Sequence, residues 1–253
     1  MVAGGRLSAG ASNKRGRFSC TLRARTWQWI GLAVGVALFL AVWTDERVHG
    51  PVTGADRAVY DRVGSWEPTA HVDEVGDALS MPVDVEAAVA ITFVTVLWWW
   101  SLGDRRMALC AAVSGAVVGA AIYGLKQSIQ RPLPPRVAGA WYKYSFPSGH
   151  TISAVANVGL LVLVAPQVYA DVKRLGPAAA KRLWRWSVTA WAALAVLWGC
   201  ARILSQRHWA SDVYASWGVG LAICCAVLLA FGLPRPPSLH AGKDQAAAQG
   251  RPG

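Results

Sequence analysis

The residues best suited to chemistry in this chain are two histidines, an aspartate and a set of cations. His208 and Asp212 are four residues apart, so on a helix they would share a face. Ser148-Gly149-His150 opens an apolar run, Lys126 closes one, Arg202 lies near the end of another, and Arg131 follows Lys126 in a proline-rich loop. Lys126, Arg131 and Arg202 offer positive charge and fork-shaped donors that suit a phosphate dianion. The Ser148 hydroxyl can cap the helix that begins beside it, where unpaired backbone N–H groups favour an anion, and Gly149 lets the backbone approach closely. Two histidines supply a nucleophile and a proton donor. An aspartate beside one of them can hold its tautomer and stabilise the cation formed on attack. Phosphoryl transfer is mostly positioning and charge stabilisation, and this set provides both. No cluster of metal-ligating carboxylates accompanies it, so neither a metal nor a cofactor is implied.

The elements that must position these residues are long and apolar. Of 253 residues, 54% are hydrophobic and only 15% charged, which excludes a disordered chain and argues against a soluble enzyme. Six segments approach the ~17–25 residues of a membrane span: Trp27–Trp43, Val83–Leu102, Met107–Ile129, Thr151–Val168, Trp186–Leu204 and Ser211–Leu233. The fold class expected is an all-α, six-helix integral membrane bundle. The net charge of +11 admits nucleic acid until the charges are placed. Most Lys and Arg fall before the first span, between the second and third, between the fourth and fifth, and after the sixth. By the positive-inside rule both termini are cytoplasmic. Charge is then a topology signal, and no nucleic-acid partner is expected. His150, Arg202, His208 and Asp212 all fall at the opposite, extracytoplasmic end. Many of the 14 Trp lie at span ends, while Trp191, Trp198 and Trp217 fall inside spans and are expected to pack.

The first span follows a basic segment and ends without a small-residue cleavage site, so it is expected to remain as an anchor. The organisation expected is a basic cytoplasmic segment (1–26), a membrane domain (27–233) and a disordered cytoplasmic tail (234–253). Between the first two spans, Thr44–Pro82 lies outside the membrane, and its Asp56, Arg57, Asp61 and Arg62 fit a short amphipathic helix at the surface. Gly31-x-x-x-Gly35 and Gly115-x-x-x-Gly119 allow close helix approach. The five cysteines show neither metal spacing nor an extracytoplasmic pair, and read as small buried apolar groups.

Pro147-Ser148-Gly149-His150 and Arg202-x5-His208-x3-Asp212 resemble the second and third signatures of the type 2 phosphatidic acid phosphatase superfamily. That superfamily includes lipid phosphate phosphatases, undecaprenyl-diphosphate phosphatases and the vanadium haloperoxidases. The resemblance covers all six spans. It implies that His208 attacks phosphorus, Asp212 orients and charge-stabilises His208, and His150 protonates the leaving oxygen. Lys126, Arg202, Ser148 and the Gly149 N–H would hold the phosphate oxygens. The first signature departs from the family pattern: at its arginine-proline position stands Leu133-Pro134, and an Arg-Pro pair occurs two residues early, at Arg131-Pro132. Arg131 reaching over from its shifted place, Arg136 and Lys143 are the three candidates for the missing phosphate contact. Ala201 replaces a serine before Arg202, a milder departure.

A site at helix ends admits a headgroup while its tail stays in lipid. The expected substrate is a polyprenyl mono- or diphosphate, or a phosphatidic acid-like or phosphatidylglycerophosphate-like lipid, in the cell membrane. Two other readings remain. A phosphotransferase would pass the same group to an alcohol, and products formed with and without an acceptor distinguish it. A lipid-binding or transport relative without activity is the reading that Leu133 raises, and the retained His150, His208, Asp212 and Arg202 weigh against it.

Overall fold

A computed structural model of the protein describes residues 9–66, 72–80, 85–137 and 143–233. Among them there is no strand. Helix α1 (Ala9–Arg47) leads to a single turn, α2 (Pro51–Gly54), and two short helices, α3 (Asp56–Gly64) and α4 (Val72–Ser80). Then follow α5 (Val85–Ser101), α6 (Arg105–Ile129), α7 (Gly149–Ser153), a π-helical turn (Ala154–Val158), α8 (Gly159–Val172), α9 (Pro177–Leu204) and α10 (Ala210–Ala230). The expected disordered tail, the first residues of the basic segment and the middle of the proline-rich loop lie outside the described residues.

Five helical stretches are long and apolar enough to cross a membrane: Arg25–Arg47, Arg105–Ile129, Gly149–Ala170, Ala178–Leu204 and Ala210–Ala230. The chain is therefore a multi-pass membrane protein. The sixth expected span is represented by α5, whose 17 residues extend roughly 26 Å at ~1.5 Å per residue, short of a ~30 Å hydrocarbon core. Its expected start at Val83 lies outside the described residues.

Helix α10 is the axis of the bundle and packs against α1, α6, α7, α8 and α9. It buries residues on every face, as a predominantly apolar helix at the centre of a bundle does. Of the apolar windows, those of Gly149–Ala170 and α10 are 59% and 56% buried, against 17% to 28% for the other three, whose outward faces meet lipid. Helices α1 and α10 cross closely, through glycines on both. A Cβ on Gly35 would lie 2.6 Å from the Gly218 carbonyl oxygen, and one on Gly31 2.6 Å from Cys225 Sγ. Only small residues permit such contact. Gly115 is similarly closed by Thr92, whereas nothing lies within 4 Å of a Cβ on Gly119, so the second small-residue pair is used at one position only. Gly218→Leu is accordingly expected to force α1 and α10 apart and cost about 1–3 kcal/mol. Gly119→Ala should leave thermal unfolding in detergent unchanged. Equal melting of the two variants would contradict this crossing.

The tryptophans follow the same division. Trp27 and Trp184, both expected at inner span ends, meet edge to face with centroids 6.3 Å apart. Trp191 fills the space over Gly159, and Trp217 packs on Gly199 and donates to the Ala195 carbonyl at 3.1 Å. In the membrane interior, Ser114 donates to Asn157 Oδ1 at 3.0 Å, which satisfies a polar side chain carried by the π-helical turn. Cys110, Cys224 and Cys225 are buried, Cys200 is half-buried, and all four are unpaired thiols.

The end of α6, the start of α7, the end of α9 and the start of α10 meet at one end of the bundle, and α3 and α4 sit on it. Helix α4 reaches α9 through Gly76, where a Cβ would lie 2.7 Å from both the Ala201 carbonyl oxygen and the Ser205 nitrogen. Helices α3 and α4 thus do more than border the membrane, since they cover the end of the bundle where the candidate residues gather.

Candidate active site

His208 does not lie on the helix that carries Asp212. It stands two residues before α10, in the turn that follows α9. The expected helical-face pairing is replaced by a turn-to-helix contact with the same spacing. Asp212 occupies the third position of α10, and its Oδ2 accepts from the Trp209 backbone N–H at 3.0 Å. That bond closes the turn and brings His208 Nδ1 to 3.5 Å from the same oxygen. The distance is long for a hydrogen bond, as is common before substrate is bound. With Nδ1 facing the carboxylate, Nε2 is the nitrogen left to react. His208 and Asp212 are both buried, at 5% and 0% exposure. Burial lowers the His208 imidazole to about 4, against the opposing pull of Asp212 and together with Arg202 and Lys126. The ring is therefore neutral at pH 7, the form a nucleophile requires.

The expected cations surround this pair. Arg202, at the end of α9, is buried at 4% exposure, and its charge acts on His208. Lys126, in the last turn of α6, donates to the Tyr144 carbonyl at 2.5 Å and to the Ser145 carbonyl at 3.4 Å, which ties the loop returning from the proline-rich segment to the site. His150, in the first turn of α7, lies within electrostatic reach of Arg202, His208, Arg207 and Lys126. The structure thus brings together Lys126, His150, Arg202, His208 and Asp212, which lie on four helices and the turn between α9 and α10.

Ser148 is placed differently from expectation. It precedes α7, but its hydroxyl caps no N–H there. The Ser148 backbone N–H instead donates to Ser216 Oγ at 2.7 Å, and Ser216 Oγ donates to the Asp212 carbonyl at 2.5 Å. This pins Ser148 to α10 and turns its hydroxyl toward Thr151, whose Oγ1 donates to it at 3.2 Å. Gly149 faces Ile122 at ordinary contact distance.

Arg131 is also brought to the site, but on the far side of Asp212. Its NH1 donates to Asp212 Oδ1 and to Ser211 Oγ, each at 2.6 Å, and its NH2 donates to Asp56 Oδ2 at 2.7 Å. Arg136 hydrogen-bonds Gln206 Oε1 at 3.4 Å through its side chain and the Tyr60 hydroxyl at 3.1 Å through its backbone.

Asp77, Arg207, Ser211 and Ser216 have no site role in the sequence reading, and Asp56 enters it only as part of a surface helix. Asp56 begins α3 and is 3% exposed, although an acid at a helix start ordinarily faces water. Asp77, on α4, accepts from Arg207 Nε at 2.7 Å and NH2 at 2.5 Å, and its Oδ1 lies 3.9 Å from Arg202 NH1. The available sequence signal was Arg207 itself, a charge between Arg202 and His208 in the turn after α9. Nothing in the sequence marked Ser211 or Ser216. Among the described residues no group of three His, Cys, Asp or Glu side chains is placed to hold a metal ion.

The arrangement is a neutral, buried imidazole backed by a carboxylate, facing several cations and a second histidine at the end of a membrane bundle. The family model of the PAP2 superfamily matches residues 105–236, a little over half of the chain. That stretch contains Lys126, His150, Arg202, His208 and Asp212, and excludes Asp56 and Asp77. No curated protein matches the chain. Among solved structures, the fold is similar to that of a transmembrane PAP2 type phosphatidylglycerolphosphate phosphatase from Bacillus subtilis. The TM-score is 0.63 at 22% identity, over 80% of this chain and 98% of that one. With the family match spanning both retained signatures and the bundle matching a membrane member's fold, the chain belongs to the PAP2 superfamily.

Proposed function

We propose that the protein is a membrane phosphatase that hydrolyses a lipid phosphate or diphosphate through a phosphohistidine at His208, without a metal ion. The observation that carries this reading is the buried His208–Asp212 pair standing among Lys126, Arg202 and His150 at the end of the bundle. In the first step a bond forms between His208 Nε2 and phosphorus as the bond to the lipid oxygen breaks, and His150 gives that oxygen its proton. Asp212 stabilises the positive charge that develops on the ring. Lys126, Arg202, Ser148 and the Gly149 N–H hold the phosphoryl oxygens. In the second step water attacks phosphorus, His150 takes its proton, and the nitrogen–phosphorus bond breaks to release inorganic phosphate. Polyprenyl mono- and diphosphates and glycerophospholipid phosphates, phosphatidylglycerol phosphate among them, are the substrate classes proposed. The excess of Lys and Arg at the opposite ends of the helices supports a site on the extracytoplasmic side of the cell membrane.

The test is phosphate release by protein purified in detergent with chelator, across a panel of these lipids, with and without an alcohol acceptor. Release from at least one lipid, and an acid-labile label retained on His208 from radiolabelled substrate, is the expected result. A phosphorylated alcohol in place of inorganic phosphate would make the protein a transferase, and no turnover of any lipid would reject catalysis. A reporter fused after Leu102 should read cytoplasmic, and an external signal there would reverse the face.

A further inference from the structure

We infer that Arg131 is a positioning residue for Asp212 rather than a phosphate ligand, and that Asp56 is the counter-charge that lets it act so. The inference rests on the reading of His208 as nucleophile and concerns the first signature, where this chain lacks the family's arginine at its usual spacing.

The stretch after α6 that carries Arg131 is non-helical. Arg131 is found with its guanidinium locked between two buried carboxylates. It donates to Asp212 Oδ1 at 2.6 Å and to Asp56 Oδ2 at 2.7 Å, and its side chain is only 10% exposed. The ring of Trp209 lies against it, with the guanidinium carbon 5.8 Å from the centroid. To reach a phosphate, Arg131 would have to leave two buried carboxylates without their cation, which is strongly unfavourable. Despite its burial, the guanidinium is held above the ordinary arginine range by Asp212 and Asp56.

The carboxylate division follows from these bonds. Arg131 takes Oδ1 of Asp212, which leaves Oδ2 to the Trp209 N–H and to His208 Nδ1. An arginine this close would by itself cancel much of the charge Asp212 offers to His208. Asp56 restores it: two carboxylates and one guanidinium carry a net −1, which the developing imidazolium neutralises. Asp56 also accepts from the Ser211 N–H at 2.9 Å and from Ser211 Oγ at 2.5 Å, so it fastens the start of α10 to α3. A residue from a helix outside the membrane thereby reaches the carboxylate that backs the nucleophile.

The experiment compares kcat, KM and binding of inorganic phosphate, followed by 31P NMR, in full-length protein in detergent. Arg131→Ala and Asp56→Asn are expected to lower kcat about 10- to 100-fold, the scale of a misplaced catalytic group, with phosphate binding within about two-fold of wild type. Arg202→Ala should lose phosphate binding instead. The decisive variant is the double change Asp56→Asn with Arg131→Gln. It removes both extra charges, returns −1 to Asp212, and should recover kcat above that of Asp56→Asn alone. A purely structural role predicts a double variant worse than either single one. Loss of phosphate binding in Arg131→Ala comparable to Arg202→Ala, wild-type kcat in Asp56→Asn, or failure of the double variant to recover kcat each overturns the inference. If wild type turned over no lipid, the phosphatase reading would fall, and phosphate binding would still decide whether Arg131 is a ligand. If Arg131→Ala does not fold, Arg131→Lys, which keeps the cation, takes its place in the binding comparison.

Discussion

His208→Ala is expected to reduce phosphate release by about 10⁴-fold or more while leaving inorganic phosphate bound. The size follows from what the side chain does. Nε2 is the atom proposed to form the covalent bond, and Asp212 stands behind its ring at 3.5 Å from Nδ1. The rest of the site survives the change, since Asp212 keeps its bonds to Arg131 NH1 and to the Trp209 N–H. Residual turnover would come from water attacking a phosphate still held by Lys126 and Arg202, a route left with charge stabilisation alone. The measurement is single-turnover phosphate release, paired with 31P binding to confirm an intact site. A variant keeping a tenth or more of wild-type activity would remove His208 from the nucleophile role.

Asp212→Asn is expected to cost about 10³- to 10⁴-fold in kcat with little change in KM. The carboxylate is surrounded by donors. Oδ1 accepts from Arg131 at 2.6 Å, and Oδ2 accepts from the Trp209 N–H at 3.0 Å and faces His208 Nδ1. An amide has only one acceptor oxygen, so its NH2 must point at one of these donors. If it points at Arg131, two buried donors oppose each other. If it points at His208, the ring must take the tautomer with its proton on Nε2, and the nucleophilic nitrogen is blocked. Either choice also removes the negative charge that offsets the imidazolium. Steady-state kinetics on the preferred lipid check the split, and a variant that raised KM alone would assign Asp212 to substrate binding.

Much of this protein is written in short-range patterns. Apolar length marks α1, α6, α9 and α10 as spans, because crossing a bilayer demands it whatever the neighbours are. The two signatures place His150, Arg202, His208 and Asp212 at matching helix ends, because a fixed spacing across a turn fixes direction. Even there the local geometry differed, since His208 lies before α10 rather than on it. The contact held because Asp212 folds back on the Trp209 N–H.

Tertiary structure alone decided which charges are paired. Arg131 meets an aspartate 75 residues earlier in the chain and another 81 residues later. Asp77 meets Arg207 across 130 residues. In the sequence, Asp56 and Asp77 look like ordinary acids of surface helices, and Arg131 looks like a phosphate ligand out of register. A buried ion takes its role from the partners that replace its water, and those partners arrive only when distant helix ends converge. The sequence by itself therefore determined the membrane bundle and the proposed reacting residues. The packing of α3 and α4 over the helix ends decided what stands behind them.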